Sequence, residues 1–114
     1  MVKIYGIPNC DTVKKTLDFF KSKDIEIQFH NYKTEGISEE KLSEWFNKLG
    51  INKVVNKASS TYKKLTDEQK LALENPETAI PILQEHTSVI KRPTVEHKKG
   101  TLIGFKKEEY ETVF

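Results

Sequence analysis

The opening of the chain constrains its fold more than any later stretch. Residues 2–5 are a short β-branched and aromatic run, stopped by Gly6 and Pro8. From residue 11 to about 23 the apolar side chains of Val13, Leu17 and Phe20 recur at helical spacing, with Lys14, Lys15, Asp18 and Lys21 outside that stripe. Residues 25–29 (Ile-Glu-Ile-Gln-Phe) then alternate with period two, as a half-buried strand does. A strand, a helix and a second strand in this order predict a parallel pair joined by a right-handed crossover.

The middle of the chain reads as helical. Ser38 is a good N-cap for a helix carrying Leu42, Trp45, Phe46 and Leu49 on one face, and Gly50 is a natural stop. Residues 52–64 are polar and basic and predict a loop with one helical turn. Thr66 and Gln69 have capping-box spacing for a helix to about 74. Asn75-Pro76 breaks that helix. Another is expected over about 78–85, with Pro81 tolerated in its first turn. Residues 94–96 and 101–103 read as a hairpin around Lys98-Lys99-Gly100, with a three- or four-residue turn, and residues 106–112 as a closing helix. This order predicts an α/β, thioredoxin-like fold: one domain over residues 1–114, with a helical insertion at about 36–90.

At 114 residues the chain can bury a core without disulfides. A formal charge of +2 gives no electrostatic case for direct binding of nucleic acid. One cysteine cannot form an internal disulfide, which fits a reducing compartment. With no apolar leader or long apolar run, neither signal peptide nor membrane span is expected, and the cytoplasm is the expected location. His30, His86 and His97 are scattered and offer no zinc-type spacing, so no metal is expected.

Two residues carry chemistry. Cys10 stands where strand gives way to helix, and the unpaired N–H groups and dipole of a helix N-terminus favour a thiolate. A free cysteine is commonly a small buried hydrophobe. Here Pro8, Asn9, Asp11 and Thr12 are turn and cap formers, which argues for an exposed, reactive thiol. Val13 stands three residues on, so any disulfide chemistry is monothiol, resolved by a thiol from outside.

Arg92, the only arginine, immediately precedes Pro93. A thioredoxin-like fold places a cis-proline at this strand's start, against the reactive thiol. On that assignment Arg92 approaches Cys10 and binds an oxyanion or carboxylate with a bidentate fork. Lys14, one turn past the cysteine, is a candidate second cation. Asn9, which flanks the thiol, and Lys57, in a hydroxyl-rich stretch that reads chiefly as solvated loop, are the other substrate-binding candidates.

The opening Tyr5-Gly6-Ile7, Asn9-Cys10-Asp11-Thr12 and Lys14-Lys15 resembles the arsenate reductase/Spx-like (ArsC) family, and its YffB-like branch in particular. Asn56-Lys57, Thr61-Tyr62, Ile90-Lys91-Arg92-Pro93 and the closing Gly100 to Phe105 extend the resemblance over essentially the whole chain. It implies Cys10 as nucleophile and Arg92 as the arginine before the cis-proline. The chain departs from the glutathione-coupled arsenate reductases at Lys14 and Gly6, where they carry arginine and histidine. Arginines are also missing near Asn56 or Lys57 and near Phe105. What the resemblance then implies is a glutathione-dependent thiol reductase with arsenate reductase-like chemistry. It would hold no cofactor tightly, take glutathione as cosubstrate or a glutaredoxin-type thiol donor, and act on a small oxyanion or oxidised thiol. The Spx-like relatives imply an alternative, a transcription regulator that binds RNA polymerase.

Overall fold

A computed structural model describes residues 1–114, which form two compact units. The first comprises residues 1–31 and 92–114, and the second is the continuous segment 32–91.

The first unit is built on a four-stranded sheet. Strand β1 (Val2–Gly6) pairs parallel with β2 (Ile27–Asn31) and antiparallel with β3 (Thr94–His97), which pairs antiparallel with β4 (Gly100–Ile103). The strand order is β2-β1-β3-β4. Helix α1 (Asp11–Ser22) joins β1 to β2, and α8 (Lys107–Val113) closes the chain. This is the sheet of a thioredoxin-like α/β fold. One face of it carries the core: Val2, Ile4 and Val95 pack with Phe19 and Phe20 of α1 and Tyr110 of α8. Apolar burial of this kind contributes about 25 cal/mol per Å² and is the main force fixing α1 to the strands.

Strand β2 begins two residues later than the alternation predicts. The cause is the way α1 ends. Asp24 adopts a positive φ of 56°, its N–H donates to the Lys21 carbonyl, and the Ile25 N–H donates to the Phe20 carbonyl. This is a Schellman cap, with aspartate where glycine is usual. Ile25 is therefore spent on the helix exit and packs on the core beside Phe20, and pairing starts at Ile27 opposite Val2. The hairpin is tighter than expected. His97 pairs with Gly100, leaving Lys98 and Lys99 as the loop, and the Lys99 N–H donates to His97 Nδ1 at 3.2 Å.

The second unit is helical: α2 (Tyr32–Glu35), α3 (Glu39–Leu49), α4 (Ile51–Val54), α5 (Ser60–Lys64), α6 (Asp67–Ala72), α7 (Pro76–Glu85) and a 3₁₀ turn at Thr87–Val89. Ser38 caps α3, its side chain accepting from the Lys41 N–H, and Gly50 ends it at φ 86°. Thr66 and Gln69 form the reciprocal capping box of α6. Trp45, Leu42, Val54, Leu83, Val89 and Ile90 are all fully buried. The C-terminal end of the unit is tied to its middle by a bridge between Val55 and Ile90 and by the Lys91 N–H donating to the Val54 carbonyl.

Residues 52–64 are less of a loop than expected. They contribute to two short helices: Ser59 caps α5 by accepting from the Tyr62 N–H at 3.0 Å, and Asn56 Oδ1 accepts from the Ala58 N–H at 3.1 Å in the turn between α4 and α5. Helix α7 begins at Pro76, where proline has no useful N–H to lose, instead of at residue 78. Pro81 therefore lies in the helix body, not its first turn. It withholds a donor from the Glu77 carbonyl, but Glu77 is exposed and solvent can take the donor's place. No helix is long and apolar enough to cross a membrane.

Candidate active site

Cys10 is the N-cap residue of α1, in extended conformation at φ −110° and ψ 126°. Its carbonyl accepts the first helical hydrogen bond, from the Lys14 N–H at 3.0 Å. Its sulfur, half-buried, faces the first turn of the helix it starts. Burial raises the thiol pKa. The N–H of Val13, the Arg92 guanidinium, the N–H of Thr12 and the Arg92 charge together outweigh burial, and the pKa lies below its ordinary value. The two amides face the sulfur without closing a regular cap hydrogen bond, so they act mainly as oriented dipoles that favour the anion. Thiolate is the nucleophilic form, so the site favours attack.

The close approach of α1 to the sheet depends on Gly6. A Cβ there would lie 2.8 Å from Val13 Cγ2, inside van der Waals contact, and Val13 is fully buried with a stiff β-branched χ1. Gly6→Ala therefore has to displace the residue whose N–H faces the thiol. We expect it to cost roughly 1–3 kcal/mol, the usual penalty of overpacking, and to slow Cys10 alkylation. Thermal melts and iodoacetamide kinetics on the one variant check both effects.

Arg92 reaches the same thiol from the other end of the unit. The Arg92–Pro93 peptide bond is cis, and Pro93 is buried at the entrance to β3. The fold thus brings together the lone cysteine and the lone arginine, two groups some eighty positions apart in sequence. Asn9 and Lys14 flank Cys10 and are both exposed. Lys57 belongs to the helical unit, where its Nζ lies 3.0 Å from Glu74 Oε1. That hydrogen bond and the Glu74 charge raise its pKa. No group of three or more His, Cys, Asp or Glu side chains is placed to hold a metal ion.

A reactive-type cysteine at a helix N-terminus, on a thioredoxin-like sheet and beside an arginine that precedes a cis-proline, defines a thioredoxin-like protein with a single-cysteine site. Residues 5–113 match the ArsC family, and the chain belongs to it. An uncharacterised protein of Haemophilus influenzae is 37% identical over 114 residues, covering 100% of this chain and 99% of that one. The solved structure of the YFFB protein shares 37% identity at a TM-score of 0.92, covering 98% of this chain and 97% of that one. An arsenate reductase-related protein from Brucella melitensis shares 32% identity at a TM-score of 0.75, covering 97% and 92%. The global transcriptional regulator Spx of Streptococcus pyogenes is 24% identical over 112 residues, covering 96% of this chain and 81% of Spx.

Proposed function

We propose that this ArsC-family chain is a monothiol oxidoreductase that uses glutathione to reduce oxidised sulfur. The Cys10 thiolate attacks the glutathione sulfur of a mixed disulfide. One S–S bond breaks, the substrate leaves as a thiolate that takes up a proton, and Cys10 is left disulfide-bonded to glutathione. A second glutathione thiolate attacks that bond, releasing glutathione disulfide and regenerating the Cys10 thiolate. Substrate sulfur is reduced and glutathione is oxidised. Arg92 holds a carboxylate of glutathione, with Asn9 and Lys14 beside it. Arsenate is the competing substrate, to be held by one guanidinium and the flanking lysines. A free reactive thiol of this kind suits the reducing cytoplasm.

The observation that carries this reading is the placement of the Cys10 thiol at the N-terminus of α1, facing the Val13 and Thr12 amides and the guanidinium of Arg92 before its cis-proline. The test is reduction of a glutathionylated protein, coupled through glutathione reductase, with intact-mass analysis of the enzyme during turnover. One glutathione on Cys10 and steady turnover are expected. Neither would appear if the proposal were wrong.

The match to Spx along 96% of this chain favours a second reading, docking on RNA polymerase. Val13 occupies the second position of a Cys-x-x-Cys pair, so such docking would have no internal disulfide switch. Retention of polymerase subunits on the immobilised chain, with no glutathione-dependent turnover, is the result that selects it.

A further inference from the structure

The backbone next to Arg92 is connected to the closing helix through Gly104. The Gly104 N–H donates to the Pro93 carbonyl at 2.8 Å, adding a bond beyond the Thr94–Ile103 pair of the β3–β4 ladder. Pro93 has no N–H of its own, so this carbonyl is its one strong backbone handle. Gly104 sits at φ 76°, a left-handed conformation that suits glycine, and its carbonyl accepts from the Tyr110 hydroxyl at 2.6 Å. Tyr110 is fully buried. Its ring lies 5.6 Å from Phe19 and 6.0 Å from Phe20, both on α1, and 4.8 Å from Phe105. One side chain therefore links the elements that carry the pair: its ring packs on the helix that Cys10 begins, and its hydroxyl bonds the carbonyl of the residue whose N–H holds the Pro93 carbonyl.

We infer that Tyr110 is a positioning residue for the Cys10–Arg92 pair, acting through the backbone of Gly104, whose carbonyl it bonds and whose N–H holds Pro93. Burial, with a smaller effect from Glu109, keeps its phenol protonated far above the ordinary range, so the donor is present at every usable pH. The ring packs among its aromatic neighbours, and the hydroxyl makes the bond to the Gly104 carbonyl. The inference rests on the reading of Cys10 as an activated thiol.

The test compares Cys10 alkylation against pH in the wild type, Tyr110→Phe and Phe114→Leu, with a thermal melt of each. Phe114 packs 6.1 Å from the same ring and makes no bond to Gly104, so it controls for the loss of core packing. Tyr110→Phe should raise the thiol pKa by about half a unit, slowing alkylation well below the midpoint about threefold. Phe114→Leu should lower the melting temperature and leave the pH profile unmoved. A depressed wild-type pKa that Tyr110→Phe leaves unchanged overturns the inference, as does an equal shift in Phe114→Leu. A wild-type thiol that titrates like free cysteine overturns the functional reading itself. Amide exchange on the wild type gives a reading that needs no variant: a slow Gly104 N–H is expected, and a fast one breaks the link.

Discussion

Cys10→Ser abolishes turnover while leaving the fold at least as stable as before. Both halves of this result follow from the N-cap position. A serine hydroxyl does not ionise in the working pH range, so the amides of Thr12 and Val13 and the Arg92 guanidinium have no anion to stabilise. Loss of the nucleophile should lower the rate by about a thousandfold or more. Serine is, however, one of the best N-cap residues, whereas Cys10 closes no side-chain cap bond in α1. The substitution should therefore add up to about 1 kcal/mol to helix stability. Turnover measured beside a thermal melt separates the two effects. Retained turnover in a folded Cys10→Ser protein would remove the thiol from the mechanism.

The second large effect is at Arg92. Arg92→Met keeps much of the side chain's bulk and deletes the only guanidinium in the chain. Hydrogen bonds to charged groups are worth about 1.5–3 kcal/mol, so kcat/KM should fall roughly ten- to a hundredfold. The Cys10 pKa should rise as well, because Arg92 both bonds to the sulfur and supplies positive charge. Arg92→Lys restores the charge without the planar fork, and should recover the thiol pKa better than it recovers KM. If Arg92→Met left both the pH profile and KM unchanged, Arg92 would have no part in the site.

Much of this arrangement is legible in the sequence where local chemistry decides the outcome. The caps at Ser38 and Thr66, the stop at Gly50 and the break between β1 and α1 are each set by one or two side chains acting on nearby backbone. Spacing failed where backbone geometry overrode it. Ile25 has the right alternation for β2, but the aspartate-centred cap at Asp24 takes its N–H for Phe20. Pro81 reads as a first-turn residue as long as Pro76 reads only as a breaker, whereas Pro76 is the first residue of α7.

At the site, the meeting of Cys10 and Arg92 was readable only through the thioredoxin-like order of elements, since nothing local connects them. Gly6 and Tyr110 could not be found that way. Gly6 matters for the space it leaves beside Val13, and Tyr110 for a hydroxyl aimed at a carbonyl six residues back. In sequence the first is a strand terminator and the second one more aromatic on an amphipathic helix.

The central claim is that Cys10 is an activated thiol in a ligand-binding site. The rate of Cys10 alkylation as a function of pH, alone and with glutathione or arsenate, tests it most directly. Because the folded site favours the anion, the thiolate should persist to lower pH than in a free cysteine. The midpoint should fall below about 8.5, the free-thiol value, and glutathione should protect Cys10 at every pH. A midpoint at the free value, with no protection by either ligand, would contradict the account.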